Sequence, residues 1–409
     1  MKCRHCSAAL SLPFLDLGSA PPSNAYLSDA GLRAPETWFP LRLLVCESCW
    51  LVQTEDHAGR EALFTDDYAY FSSFSSSWLA HSSAYVQAMR QRFGLGSGSL
   101  VSEVAANDGS LLQYVKQAGI PCYGIEPTAS TAAAARAKGI EIVERFFGME
   151  LATELAGQGK QVDLVAANNV LAHVPDINDF VAGFAQLLKP QGVATFEFPH
   201  LLQMIRHNQF DTAYHEHYSY LSLTAMQRVF AANGLAVFDV EEHTTHGGSL
   251  RVFAQRSDSG EHLRQVSVAA MLEREAAAGL TSPAAYAGFQ ACAQKVKNDF
   301  MAFLIEAQRQ GKRVAAYGAA AKGNTLMNFS GVRPDLLAFV VDRNPAKQGK
   351  YMPGSRIPIV AEDRLAQDKP DHIVILPWNL SAEVTAQLDY ARAWGASFVT
   401  AVPVLRITR

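Results

Sequence analysis

Short apolar runs alternate with helical patterns along the middle of the chain. The runs predict buried strands over Leu100–Val104, Cys122–Ile125, Ile140–Val143, Val162–Ala166 and Val193–Phe198. The segments 129–138 and 178–188 between them have helical patterns. Because strands and helices alternate, we expect a parallel sheet wrapped by helices. Two further runs predict strands at its far edge, over Leu235–Val240 and Ser249–Ala254.

A second α/β unit follows a helical pattern that covers about 264–310. Ser282-Pro283 is a helix N-cap followed by proline, and Gly311 ends the pattern. The strands predicted for this unit are Arg313–Tyr317, Leu337–Val341, His372–Leu376 and Ser397–Val402. The sequence therefore predicts two Rossmann-like units, with a separate helix near Trp78–Phe93 before the first.

Composition narrows the class of protein. The chain has 409 residues, 49% hydrophobic and 18% charged, which indicates a globular protein of two or three domains. The formal net charge is -4 without a long basic run, so nucleic acid is not an expected partner. The start, Met1–Cys6, has no apolar signal core, and no stretch is apolar enough to span a bilayer. We therefore expect a cytoplasmic protein without a membrane partner.

Two cysteine pairs mark the first 55 residues, which are rich in turn residues and could build little core unaided. Cys3-x-x-Cys6 and Cys46-x-x-Cys49 offer four thiolates at the spacing of a zinc knuckle. Four sulfurs close the coordination shell, so the predicted zinc is structural. Free buried thiols or a redox pair are the alternative. Cys122 and Cys292 lie in apolar patterns and are predicted core residues.

Polar residues follow the predicted strands of the first α/β unit. Glu103 ends the first strand, and the loop Asn107-Asp-Gly109 opens a helix. Such a loop lets the backbone approach a ligand. Glu126 ends the second strand, where a carboxylate can bind ribose hydroxyls, and Asn168 ends the fourth. The loop lacks G-x-G-x-x-G, which argues against NAD, and it could alternatively be a turn that only caps a helix.

A dense polar and aromatic cluster, Tyr214-His-Glu-His-Tyr-Ser-Tyr220, follows the fifth strand. It precedes a predicted helix at 222–233 and is expected at the ligand-binding edge of the sheet. Histidine suits proton abstraction near neutral pH, and tyrosine and glutamate can position it. Asn169 and His173 could face the same cleft. A metal site and a surface loop remain alternatives for this cluster.

The order of these features resembles the SAM-dependent sugar C-methyltransferases that make branched deoxysugars. The resemblance covers nearly the whole chain. It rests on Cys3/Cys6 with Cys46/Cys49, Tyr68-Ala-Tyr-Phe-Ser-Ser73, Glu103…Asn107-Asp-Gly109, Asn168-Asn-Val-Leu-Ala-His173, Tyr214-His-Glu-His217, His246-Gly-Gly-Ser-Leu-Arg251 and Gly318-Ala-Ala-Ala-Lys-Gly323. Each motif is weak by itself, and their shared order makes the resemblance specific.

The resemblance implies an α/β fold with three parts. These are a zinc-binding module at 1–67, a central class I methyltransferase domain at 68–258, and a helical linker with a second Rossmann-like domain at 259–409. SAM and a structural Zn²⁺ are the implied cofactors. A nucleotide-linked keto-deoxysugar, with dTDP as the expected nucleotide, is the implied acceptor.

The resemblance also implies roles for individual residues. His217 would be the general base, supported by Tyr214 and Glu216, with Asn169, His173 and Tyr68 near the sugar. Glu126 would bind the SAM ribose, beside Glu103, Asn107, Gly109 and Asn168. Substrate contacts from the C-terminal domain are expected at Lys322, Asn324 and Arg343. The implied reaction removes a proton next to the ketone and methylates the enolate carbon.

Three other functions are compatible with the residues. An O- or N-methyltransferase would depend less on a strong base. An NAD-dependent sugar-nucleotide oxidoreductase or epimerase would use the C-terminal unit, although no G-x-G-x-x-G is present. A non-enzymatic zinc-module scaffold would leave the polar cluster without a purpose. The sequence leaves the sugar, the methylated carbon and the oligomeric state open.

Overall fold

The computed structural model describes residues 1–57 and 71–409, which contain three β-sheets. The strands are β1 (Leu12–Ala20), β2 (Phe39–Val45), β3 (Val52–Thr54), β4 (Val101–Val104), β5 (Cys122–Ile125), β6 (Glu141–Val143), β7 (Val162–Asn168), β8 (Leu188–Pro199), β9 (Ser219–Tyr220), β10 (Leu235–His243), β11 (Ser249–Arg256), β12 (Val314–Tyr317), β13 (Val340–Val341), β14 (Ile359–Val360), β15 (His372–Ile375), β16 (Ser397–Thr400) and β17 (Arg406–Thr408). The α-helices in these ranges are α1 (Ser76–Phe93), α2 (Leu112–Gln117), α3 (Ala129–Ala137), α4 (Met149–Gly157), α5 (Ile177–Leu187), α6 (Leu201–Arg206), α7 (Leu223–Ala232), α8 (Val266–Ala277), α9 (Phe289–Arg309), α10 (Ala321–Ser330), α11 (Asp363–Asp368) and α12 (Ser381–Gln387).

The central sheet has the order β10-β11-β8-β7-β4-β5-β6. Strands β4 to β8 pair in parallel, and β10 and β11 add an antiparallel edge. The predicted alternation of strands and helices is confirmed here, and the strand Cys122–Ile125 has the predicted bounds. The strand predicted at Val193–Phe198 lies within the longer β8.

The C-terminal sheet has the order β14-β13-β12-β15-β16-β17. All its pairs are parallel except the pair of β16 and β17. Strand β17 was not predicted from the sequence. The strand predicted at Leu337–Val341 is only Val340–Val341. Parallel strands end at the same edge of a sheet, so the loops after β12, β13 and β15 come together.

The N-terminal sheet has the order β1-β2-β3-β9 and shares its core with the rest of the chain. Its last strand, β9, is formed by the last two residues of the predicted polar cluster, and Val52 pairs with Tyr220. On the other side, the Phe14 ring stacks on Phe289 of α9 at 4.6 Å between ring centroids. The module was expected to build little core unaided, and it completes its core with α9 and neighbouring segments.

The structure corrects one prediction about the two cysteines outside the zinc site. Cys292 is exposed on α9 and Cys122 is only half-buried, so the prediction of a core cysteine is wrong for Cys292. The buried residues of α9, such as Phe289, Ala293 and Val296, recur at helical spacing, and Cys292 lies outside this buried face although it is next to Ala293 in the sequence. Tyr68 lies outside the described residues. No helix within 1–57 and 71–409 is both long and apolar enough to cross a bilayer.

Candidate active site

A cavity of about 780 Å³ lies where the ends of the two parallel sheets meet. From the central sheet, Asn107 follows β4, Glu126 follows β5 and Asn168 ends β7. From the C-terminal sheet, Gly318 follows β12 and Asp342 follows β13. Open α/β sheets bind ligands at these strand ends. One cavity therefore joins two surfaces of the kind that binds nucleotides.

The loop after β4 is held in a tight conformation beside Glu126. Ala105, Asn107 and Gly109 all have left-handed backbone angles, with φ of 59°, 49° and 73°. The Asn107 backbone N–H donates to Oε2 of Glu126 at 2.9 Å, and the Thr128 N–H donates to Oε1 at 3.0 Å. Burial raises the pKa of Glu126, and the two backbone donors oppose that shift. The loop and the carboxylate thus form one rigid edge of the cavity.

Glu103 and Gly109 support this edge without lining the cavity. A Cβ at Gly109 would come within 2.4 Å of Ile140 Cδ1, so glycine permits close packing as well as the left-handed turn. Glu103 is buried, and this burial, with the charges of Asp108 and Glu126, raises its pKa well above the usual value. The structure therefore brings Asn107, Glu126 and Asn168 to the cavity and leaves these two residues behind its wall.

His217 has a fixed tautomer. Its Nδ1 lies 3.0 Å from the carbonyl oxygen of Thr212, which can only accept a hydrogen bond. Nδ1 therefore carries the proton, and Nε2 accepts from the Tyr214 hydroxyl at 2.6 Å. Burial lowers the pKa of His217 well below its ordinary value, and nearby His173 lowers it further. The ring is thus a neutral proton acceptor in the cavity wall.

Two further histidines and an amide line the cavity together with His217. The His173 ring packs edge-on against the His217 ring at 4.6 Å between centroids. Asn169 Nδ2 lies 3.1 Å from His246 Nε2, and both residues have left-handed backbone angles. Burial lowers the pKa of His173 and of His246 to about 4. All these rings are therefore uncharged at neutral pH.

Glu216 and His215 point away from the cavity. Glu216 is buried, and Oε2 accepts from the Ser23 hydroxyl at 2.7 Å, while Oε1 accepts from Asn24 at 3.3 Å. His215 Nε2 lies 3.2 Å from the Pro40 carbonyl oxygen. Both residues thus tie the cluster to the N-terminal module, and Asn24 itself lines the cavity.

Lys322 of α10 enters the cavity from the C-terminal sheet. Its Nζ lies 4.6 Å from the centre of the Trp378 ring and donates to Asn379 Oδ1 at 3.1 Å. Trp378 in turn donates from Nε1 to Asp211 at 2.7 Å. Burial lowers the pKa of Lys322 to about 8, although the Asp211 carboxylate opposes this. Lys322 lines the same cavity as His217, and its charge adds to the lowering of the pKa of that histidine.

The other two predicted substrate residues differ in position. Arg343 lines the cavity and donates from Nη1 to Gln387 Oε1 at 3.3 Å. Asn324 is only 1% exposed and donates from Nδ2 to the Ser23 carbonyl oxygen at 3.3 Å. Asn324 does not reach the cavity, because this fourth residue of α10 faces the N-terminal module.

Comparisons with known proteins identify the family. A C-methyltransferase named NovU, from Streptomyces niveus, is 33% identical over 406 residues, which are 99% of this chain and 96% of that protein. The chain belongs to the C-methyltransferase family. Three family models match it in order: a zinc binding domain over 3–64, a methyltransferase domain over 79–240 and a C-methyltransferase C-terminal domain over 244–403. This C-methyltransferase therefore uses SAM and carries a zinc-binding N-terminal domain.

Other similarities are partial. A ubiquinone biosynthesis O-methyltransferase from Bordetella avium is 36% identical over 104 residues, which are 24% of this chain and 42% of that protein. Magnesium protoporphyrin IX methyltransferase from Synechocystis, solved with SAM, has a TM-score of 0.34 and 18% identity over 44% of this chain and 79% of its own. The PH0226 protein from Pyrococcus horikoshii has a TM-score of 0.38 and 13% identity, and the match covers 46% of this chain and 95% of that protein. The family assignment rests on the full-length relative.

The zinc site of this C-methyltransferase is formed by the four predicted cysteines. Their sulfur atoms all lie within 4.8 Å of one another. Cys3 and Cys49 Sγ are 3.5 Å apart, as are those of Cys6 and Cys46. A tetrahedral zinc with bonds of about 2.3 Å places sulfurs about 3.8 Å apart, so these positions fit the ion. Four sulfurs leave no open position, which makes the site structural.

One buried network beside the cavity of this C-methyltransferase was not predicted. Glu197, on β8, accepts from Arg251 at 2.6 Å, from Thr245 at 2.9 Å and contacts His81 Nε2 at 2.9 Å. Burial would raise the pKa of Glu197, but His81 and Arg251 outweigh it and lower the pKa to about 2. The network fixes the turn that carries His246. The sequence signal for this network was the arginine of the motif His246-Gly-Gly-Ser-Leu-Arg251, which also pairs with Glu241 at 3.1 Å.

Proposed function

We propose that this C-methyltransferase methylates a carbon next to the ketone of a nucleotide-linked sugar, with His217 as the base. The observation that carries the proposal is the neutral His217 ring in the wall of the shared cavity, where its Nε2 accepts from the hydroxyl of Tyr214, which also lines the cavity. A C–H bond next to a ketone is acidic enough for such a base, whereas an isolated C–H bond is not. Methylation of a carbon next to a ketone therefore needs a base of this kind to remove the proton.

The methyl donor is proposed to lie along the loop after β4. Glu126 would accept from the ribose hydroxyls, because its carboxylate lies in the cavity wall at the end of the second strand. Asn107 and Asn168 would contact the rest of the donor, and Glu103 and Gly109 would hold the loop in place. SAM supplies an electrophilic methyl group on a sulfonium.

Proton removal is proposed to end on Nε2 of His217. The proton reaches this atom directly if the Tyr214 side chain turns aside, or through the Tyr214 hydroxyl as that hydroxyl gives its own proton to Nε2. The Nδ1 bond to Thr212 keeps the ring oriented in either route and stabilises the imidazolium. Glu216 supports the cluster indirectly, through Ser23 and Asn24.

The enolate oxygen is proposed to lie near Asn169 and His173. Both side chains line the cavity beside His217, and a neutral histidine and an amide each offer an N–H donor. Tyr68 is proposed to reach the sugar as well. On the C-terminal side, Lys322 and Arg343 would neutralise the diphosphate, and Asn324 would act through Ser23.

Product analysis tests this function. Purified protein is incubated with SAM and a panel of nucleotide-linked keto sugars, including dTDP-linked 4-keto-6-deoxy sugars. Mass spectrometry should find one added methyl group, and NMR should place it on a carbon next to the ketone. A methyl group on oxygen or nitrogen, or activity on none of these sugars, would contradict the proposal.

A further inference from the structure

The two parallel sheets hold a carboxylate in the same way. Glu126 follows the second strand of the central sheet and accepts from Asn107 N–H at 2.9 Å and from Thr128 N–H at 3.0 Å. Asp342 follows β13, the second strand of the C-terminal sheet. Its Oδ2 accepts from Ala319 N–H at 2.8 Å and its Oδ1 from Asn344 N–H at 2.8 Å. In each sheet, the carboxylate thus joins the loop after the first strand to a backbone N–H two residues beyond the carboxylate residue itself.

Asp342 lies where a ligand can reach it. It lines the shared cavity, and so do Gly318, which follows β12, and Pro377, which follows β15. These two loops meet where the strand order reverses, since β12 lies between β13 and β15. Gly318 has a φ of 87°, and a Cβ there would lie 2.6 Å from Pro377 Cδ. Glycine is therefore needed there by the left-handed backbone and by the close contact with Pro377, and the loop lies at the kind of reversal point where open α/β sheets bind ligands.

The hydrogen bonds within the protein do not use the full accepting capacity of Asp342. A carboxylate has about four acceptor positions on its two oxygens. The backbone donors of Ala319 and Asn344 take two of them, and Lys347 Nζ lies 3.5 Å from Oδ2. A role in holding the loop therefore leaves room for a donor from the cavity.

The two carboxylates differ in local charge. Lys347 pairs with Asp342, and its Nζ also donates to the Ala319 carbonyl oxygen at 2.8 Å. Among the ion pairs of the described residues, none includes Glu126. SAM carries positive charge and tolerates an unpaired carboxylate, whereas a diphosphate is repelled by one. Lys347, with Arg343 and Lys322 along the same wall, suits an anionic nucleotide.

We propose that Asp342 accepts a hydrogen bond from a pentose hydroxyl of the acceptor's nucleotide. The nucleoside then lies over the Gly318 loop, and the diphosphate runs from there past Lys322. The sugar reaches His217 at the other end of the cavity. This inference rests on the proposed function for the class of acceptor, and it adds the direction in which the acceptor lies.

A binding experiment without methyl transfer tests the contact. Isothermal titration calorimetry measures thymidine diphosphate and 3′-deoxythymidine diphosphate binding to the wild type and to Asp342→Asn. Loss of a hydrogen bond to a charged group corresponds to roughly a ten- to hundred-fold weaker affinity. We expect the wild type to lose this factor when the 3′-hydroxyl is removed. Asp342→Asn should bind both compounds with nearly equal affinity.

Glu126→Gln is the matched control. It should weaken binding of S-adenosylhomocysteine and leave thymidine diphosphate unchanged, and Asp342→Asn should do the reverse. The comparison of thymidine diphosphate with its 3′-deoxy analogue stays informative even if Asp342→Asn disturbs the loop, because the wild type alone reports the contact with the hydroxyl.

Three results would overturn the inference alone. The wild type could bind the two thymidine compounds equally, the hydroxyl could matter as much in Asp342→Asn as in the wild type, or Asp342→Asn could lose S-adenosylhomocysteine instead. A wild type that binds no nucleoside diphosphate would remove both the inference and the proposed class of acceptor. Binding with the expected coupling, but methylation on oxygen, would remove only the proposed function.

Discussion

Replacing His217 with asparagine gives the sharpest test of the proposed base. The asparagine amide Nδ2 occupies roughly the position of the imidazole Nδ1 and can still donate to the Thr212 carbonyl oxygen. It has no counterpart of Nε2, the atom that accepts from Tyr214. The substitution therefore removes the proton acceptor and keeps the bond that orients it.

The structure sets two different magnitudes for this change. Loss of a general base lowers kcat by about 10²- to 10⁴-fold, or about 3 to 5.5 kcal/mol of barrier. Loss of the neutral hydrogen bond with Tyr214 lowers the free energy of unfolding by only about 1 kcal/mol. We therefore expect His217→Asn to stay folded and bind both ligands while losing nearly all turnover.

The assay measures three quantities on the same protein. Calorimetry gives the SAM and acceptor affinities, steady-state kinetics gives kcat, and NMR follows exchange of the acidic sugar hydrogen in D₂O. His215→Asn is the control, because His215 contacts the Pro40 carbonyl oxygen outside the cavity. Tyr214→Phe separates the two proton routes: a direct transfer survives it, and a relay through the hydroxyl does not.

Two outcomes would refute the reasoning. Near-normal turnover in His217→Asn with a collapse in His215→Asn would move the base by two residues. Near-normal turnover in both variants would refute the proposal that this cluster removes the proton, and it would favour methylation of oxygen or nitrogen.

Three further predictions concern the cofactors and the acceptor. Protein purified without added metal should contain about one zinc per chain, and Cys46→Ser should lower its melting temperature, since the ion contributes folding energy; metal analysis that finds none, with four titratable thiols, would contradict this. Glu126→Gln should weaken SAM binding by about 1.5 to 3 kcal/mol in calorimetry, and an unchanged affinity would place the ribose elsewhere. The pKa of Lys322 is lowered to about 8, so its charge is present below pH 8 and lost above it. The acceptor kcat/KM should therefore fall as pH rises through about 8, and Lys322→Arg should remove this fall because arginine stays charged; the same fall in that variant would assign it to another group.

Local patterns were enough to predict most elements of the two α/β units. Strand β5 has the predicted bounds, and α7 begins and ends within one residue of its prediction, because apolar periodicity and turn residues act over a few positions. The paired cysteines likewise predicted a four-sulfur cluster, since each pair is set by its own short spacing. Strand β9 has two residues and no such pattern, and its pairing with β3 is a tertiary contact.

The chemistry of the cavity depended on contacts between distant residues. Glu216 is held by Ser23, which lies 193 positions away, and Arg251 meets Glu197 across 54 positions. Asn324 and Lys322 are two residues apart in the same helix, α10, yet only the lysine reaches the cavity, because positions two apart in a helix face different directions. No local pattern contains this information.

The protonation state of His217 shows the same division. The sequence determined that a histidine with a suitable ordinary pKa stands in a polar cluster after the fifth strand. The tertiary structure decided that Thr212 fixes its tautomer and that burial lowers its pKa, which together leave Nε2 free of a proton. Residue identity sets which groups can titrate, whereas burial and neighbouring charges set their state, and both of these arise only when distant segments pack together.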